Sequence, residues 1–139
     1  MADYRKPLPI PDQYTQGYWD AARRHELVMQ WCPHCGVYMF PPDPMCPGCN
    51  SLDREWKKVG GRGRVYSWFV VHYATHPDFA GDVPYAVVLV QLDEQEDLRV
   101  PGNIVGCRPE DIEAGMKVEV VFEDVTPEFT LPRWRPSEE

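Results

Sequence analysis

Cys32-Pro33-His34-Cys35-Gly36 and, after a ten-residue interval, Cys46-Pro47-Gly48-Cys49 decide how the rest of this chain is read. Each CxxC unit sets two thiolates on a tight turn, and two such knuckles face to face supply a tetrahedral sulfur site. Zinc is the expected ion, with iron as the alternative, because four cysteines in a tetrahedron suit both. Cys32, Cys35, Cys46 and Cys49 leave no open coordination position, so the ion is expected to fold the module and not to catalyse. Disulfides and a redox dithiol are the competing readings. Residues 1–11 lack an apolar signal region, so the chain reads as cytoplasmic, where thiols stay reduced. A thioredoxin-type dithiol wants one motif in a βαβ setting, and here there are two.

Working outward, Asp12 is expected to cap a helix running to about Glu26, with Tyr14, Tyr18, Ala21, Ala22 and His25 at three- and four-residue spacing and Trp19 alongside. Gly17 weakens that helix. Its aromatic stripe is a packing face by default and a partner surface as the alternative, and some of it and of the apolar stretch 129–134 is expected to be buried against a partner subunit. Short strands are expected at 27–31 and 56–59, entering and leaving the knuckles. Strands at 64–73, 85–92, 99–105, 117–123 and 128–134 follow, with a one- or two-turn helix at 108–115 between the third and fourth.

Five short strands with that small helix fit a Greek-key OB barrel better than a sandwich, which would want about seven. Fifteen Pro and ten Gly in 139 residues argue the same way, against a helical bundle. The expected fold is mainly β: an N-terminal helical segment (1–27), a four-cysteine zinc ribbon (28–59), and a five-stranded OB-fold barrel with a C-terminal tail (60–139). The acidic stretch Asp93–Asp97 reads as a solvated hairpin tip. The longest apolar run, residues 85–90, is six residues against the roughly 20 needed to cross a bilayer, so no membrane role is expected.

Charge is unevenly spread. Residues 1–64 carry nine Lys/Arg and seven Asp/Glu, net +2, whereas residues 65–139 carry five and fifteen, net −10, giving −8 overall. An acidic barrel repels polyphosphate, so nucleic acid is not expected as a partner. Single-stranded nucleic-acid binding is nonetheless the alternative that an OB barrel allows, through a basic groove with exposed aromatics.

The motif order carries a family resemblance. Tyr18-Trp19, Leu27-Val28-Met29-Gln30-Trp31-Cys32-Pro33-His34-Cys35-Gly36, Pro41-Pro42, Cys46-Pro47-Gly48-Cys49, Gly61-Arg62-Gly63-Arg64-Val65-Tyr66-Ser67-Trp68 and Pro84-Tyr85 together resemble the OB-fold proteins with a rubredoxin-like zinc ribbon, formerly a family of unknown function. The resemblance implies an accessory subunit of thiolase-type acyl-CoA enzymes, including thiolases, acyltransferases and the retro-aldolases of steroid side-chain breakdown. It also implies a share in binding the CoA thioester. Some members are fused to a hydratase-like domain; here Met1 stands just ahead of the helix, and the enzyme partner is expected in trans.

With CoA implied, the one basic cluster becomes a candidate site. Residues 54–64 hold five cations and one acid, and Lys57, Lys58, Arg62 and Arg64 are the expected contacts to the phosphates of CoA. Gly60, Gly61 and Gly63 would let backbone amides approach them. Solvated surface charge is the plain alternative. No residue is expected to be catalytic: Cys107 reads as a small hydrophobe at a strand end, and His72 and His76 as part of a loop.

Overall fold

The computed structural model describes residues 4–137. Asp12 organises the first turn: its Oδ1 accepts from the amides of Tyr14 (2.8 Å) and Thr15 (2.9 Å), and its carbonyl accepts from Gln16. Regular helix, α1, is confined to Gln16–Arg23. It is shorter than expected because the residues after Asp12 form a turn, and His25 adopts φ 60°, which ends the helix as Glu26 N–H returns to the Ala21 carbonyl. Gly17 has a packing reason: a Cβ there would lie 2.1 Å from the Trp56 indole nitrogen.

β1 (Val28–Cys32), β2 (Val37–Met39) and β3 (Glu55–Lys58) form a three-stranded sheet in the order β2-β1-β3. The sequence pattern did not reveal β2, whose three residues are too few to show a period. The second sheet contains β4 (Arg62–Val71), β5 (Tyr85–Leu92), β6 (Arg99–Asn103), β7 (Lys117–Asp124) and β8 (Thr130–Pro136), in the order β6-β5-β4-β7-β8. Its two edges meet through a parallel bridge between Ile104 and Trp134, with Val105 N–H donating to the Trp134 carbonyl at 2.7 Å. Five strands closed in this way are the OB barrel the sequence predicts. The helix expected at 108–115 is a single 3-10 turn, Pro109–Asp111.

Alternation builds the core. β5 reads half-buried, buried, throughout its eight residues, placing Ala86, Val88, Val90 and Leu92 inside. Leu98, Val100, Ile112, Val118 and Trp134 complete the barrel interior, and Leu27, Met29 and Val59 join the same cluster from the ribbon side. Trp134 is 1% exposed, so the stretch 129–134 is a closing strand and not a free apolar tail. Only glycine at 102 allows that closure, since a Cβ would lie 2.8 Å from the Trp134 ring.

Candidate metal centre and ligand face

The two knuckles bring the Sγ atoms of Cys32, Cys35, Cys46 and Cys49 within 4.8 Å of one another. The Cys32–Cys49 and Cys35–Cys46 separations are both 3.7 Å, close to the ~3.8 Å edge of a tetrahedron with ~2.3 Å metal–sulfur bonds. The donor set thus fits a closed four-thiolate site. Local structure supports it. Cys35 N–H points at Cys32 Sγ (3.4 Å), and Asn50, at φ 62°, takes the left-handed position after the second knuckle that Gly36 takes after the first. Gln30, 1% exposed, accepts from Asp43 N–H at 2.7 Å and pins the loop that carries Cys46. His34 is no ligand; its Nε2 lies 2.9 Å from Asp53 Oδ2 on the surface.

Protonation follows from this crowding. The backbone N–H of Cys49, assisted by that of Gly48, draws the Cys46 thiol down to about 7. Hydrogen bonds to the sulfurs of Cys49 and Cys46 hold the proton on Cys35 and push it up to about 12. Metal binding must displace such protons, so occupancy is coupled to pH.

The candidate cations are split into two groups. Lys57 and Lys58 lie on β3 and serve the ribbon: Lys57 Nζ sits 3.9 Å from the Trp31 ring centre, and Lys58 Nζ lies 3.7 Å from Glu26. Arg62 and Arg64 lie on β4, where with Lys117 and Asp93 they line a cavity of about 170 Å³. The glycines between have packing roles. Gly60 N–H donates to Glu94 (2.7 Å), while Cβ atoms at Gly61 and Gly63 would meet Val120 at 2.5 Å and the Gln91 carbonyl at 2.3 Å.

His76 Nδ1 accepts from Asp78 N–H and caps a 3-10 turn at Pro77–Phe79; His72 is exposed. Burial pushes the Cys107 thiol up, away from a reactive thiolate, and among the described residues it hydrogen-bonds no histidine.

The hairpin tip at 93–97 is not merely solvated. Gln95 crosses to the ribbon, where its Oε1 accepts from Tyr38 N–H (2.9 Å) and its Nε2 donates to the Tyr38 carbonyl (3.0 Å). It pairs with β2 as a strand would. A second tie runs from His25 Nε2 to Asp124 Oδ1 (2.9 Å), with the His25 ring stacked on Phe122 and Thr130 Oγ1 also bonded to Asp124.

A thiolate tetrahedron on a ribbon packed against a closed five-stranded barrel defines a zinc-ribbon OB-fold protein. Comparison with known proteins is consistent with that class. The rubredoxin-like zinc ribbon domain of ChsH2 matches residues 19–53, and the C-terminal OB-fold domain of ChsH2 matches residues 56–123. A DUF35 domain-containing scaffold protein of Methanocaldococcus jannaschii is 40% identical over 71% of this chain and 69% of its own length. A probable enoyl-CoA hydratase alpha subunit of Thermomonospora curvata is 39% identical over 95% of this chain, which spans only 40% of that protein. Among solved structures, a chain of the Ltp2-ChsH2(DUF35) aldolase superposes with a TM-score of 0.84 at 39% identity, covering 93% of this chain and 98% of that one. The chain belongs to the ChsH2 (DUF35) family. Among the described residues, no helix is long and apolar enough to cross a membrane.

Proposed function

We propose that this chain is a noncatalytic cytoplasmic subunit that associates with a thiolase-fold enzyme, holds structural zinc at Cys32, Cys35, Cys46 and Cys49, and helps to bind the acyl-CoA substrate of its partner. The observation that carries this reading is the superposition, nearly end to end, on a chain solved as part of the Ltp2-ChsH2(DUF35) aldolase. The chemistry of the site agrees. A closed thiolate set leaves the ion without a position for substrate, so zinc there would cross-link the two knuckles and nothing more. Of the four cations expected to meet CoA, Arg62 and Arg64 line the β4 cavity, where Arg64 Nη1 donates to the Gly115 carbonyl at 3.1 Å, while Lys57 lies over Trp31 and Lys58 beside Glu26.

Exposed apolar surface supports a partner. Tyr66, Phe69 and Tyr73 are 51%, 60% and 81% exposed, all on or just beyond β4, whereas Tyr18 and Trp19 of α1 are turned partly inward. The test is co-expression of the full chain with a thiolase-fold enzyme of the same genome, followed by native mass measurement and assay of that enzyme with and without the chain. A stable hetero-oligomer with altered acyl-CoA turnover is expected. A chain that stays apart and leaves turnover unchanged would overturn the reading.

A further inference from the structure

The outer face of the barrel carries a line of side chains that crosses four strands. Arg64 of β4 stands opposite Lys117 of β7 on one side and Gln91 of β5 on the other, and Gln91 in turn stands opposite Arg99 of β6. Directly paired residues share a face, so three cations lie in one row with a single amide among them. Like charges opposite one another are destabilising. In a chain with 22 Asp/Glu against 14 Lys/Arg, carboxylates to relieve that repulsion are plentiful. Among the described residues, though, none lies within ion-pair distance of Arg64, Lys117 or Arg99. The Arg99 guanidinium lies 3.9 Å from the Tyr66 ring centre, and its Nε is buried without a hydrogen-bond partner.

Along the same face the character changes. The ladder between β4 and β5 shifts register at Tyr66, so that Ser67 stands opposite Leu89, and Phe69 opposite Val87. Without this bulge Trp68, not Phe69, would share the face of Arg64. The bulge therefore aims Phe69 outward, where with Val87, Leu89 and Pro101 it lines an apolar groove of about 180 Å³. The groove begins about 7 Å from the cationic row, two residues along the strands.

We propose that this composite face binds a phosphorylated ligand with an apolar arm, its phosphates at Arg64, Lys117 and Arg99 and its arm in the groove of Phe69, Val87, Leu89 and Pro101. The proposal rests on the acyl-CoA reading above and deepens it, since the acylated pantetheine of a CoA thioester is such an arm. A bound phosphate would turn the repulsion between Arg64 and Lys117 into two charge-assisted bonds.

Amide chemical-shift mapping on the full chain tests this with three probes: octanoyl-CoA, adenosine 3′,5′-bisphosphate and S-octanoyl-pantetheine. Octanoyl-CoA is expected to shift Arg64, Gln91, Arg99 and Lys117 together with Phe69 and Leu89, the bisphosphate only the first group, and the pantetheine only the second. Arg64→Gln and Lys117→Gln, both at exposed side chains, should each weaken octanoyl-CoA about tenfold and flatten its salt dependence. Lys57→Gln should leave the affinity as it is. Shifts centred on Lys57 and Lys58, with unchanged affinity in the two β4–β7 variants, would overturn the location and leave the acyl-CoA reading standing. No saturable binding of octanoyl-CoA would overturn both. Tighter binding of an oligothymidylate to the same face would overturn the proposal in favour of single-stranded nucleic acid.

Discussion

The ribbon and the barrel solve the same problem with different means. Among the described residues, fourteen buried ones form the main core, and all but Leu27, Met29 and Val59 belong to the barrel and its loops. The separate cluster inside the ribbon is Cys32, Met39 and Cys46, and two of these three belong to the four-sulfur set proposed to hold zinc. A segment this short buries little apolar surface of its own, so zinc held by the four sulfurs would take the place of a core. On the proposed zinc site, the barrel is held by hydrophobic burial and the ribbon by coordination, and their responses to perturbation should differ accordingly.

The largest effect expected is metal removal. Elemental analysis should find one zinc per chain, and chelation or Cys35→Ser should collapse the amide dispersion of residues 28–59 while β5 keeps its native shifts. Loss of both regions together would break the comparison, because the barrel would then depend on the metal as well. Next comes Trp134→Ala, which empties the side chain at the barrel closure and should cost about 3–5 kcal/mol in chemical denaturation. That is a large share of the ~5–15 kcal/mol that holds a typical domain. The metal content should be untouched.

Local patterns were legible in the sequence, and contacts between regions were not. The apolar run over residues 85–92 gave β5 its bounds, and CxxC spacing gave all four sulfur positions, because each signal is complete within a few residues. Three-residue β2 carries no period, and His25 ends α1 early by adopting a backbone conformation that glycine would have advertised and histidine does not. Gln95 read as part of a solvated tip because its partner, Tyr38, lies 57 positions away. The basic cluster at 54–64 was visible, but neither its division between two sheets nor the alignment of Arg64 with Lys117 and Arg99 can be read without the register.

Gln95 sharpens the comparison because it joins the two regions. Gln95→Ala removes both hydrogen bonds to Tyr38 and leaves that N–H and carbonyl part-buried, which should cost about 1–3 kcal/mol. The measurement that matters is hydrogen exchange at Tyr38. It should quicken, and the ribbon should melt ahead of the barrel in the variant. A single unchanged transition would show that the shared residues Leu27 and Met29 couple the regions without help from the hairpin.

The smallest effect lies at the tie between the end of α1 and the barrel. The Thr130 hydroxyl and then His25 hold the Asp124 carboxyl below its ordinary value of 3.8. A carboxylate lowered in the folded state stabilises the protein above its unfolded pKa, and the contribution disappears as pH falls through the folded value. Asp124 is more than half exposed, so solvent screens the interaction and the contribution is small. Asp124→Asn should therefore lower the melting temperature slightly at pH 6, and the gap to the parent should close as pH is taken below about 4. Stacking of His25 on Phe122 survives in the variant, so the helix end should stay docked. A gap that persisted unchanged to pH 2 would mean that Asp124 acts through the shape of its side chain and not its charge. The link from the end of α1 to the barrel at this point would then be one of packing alone.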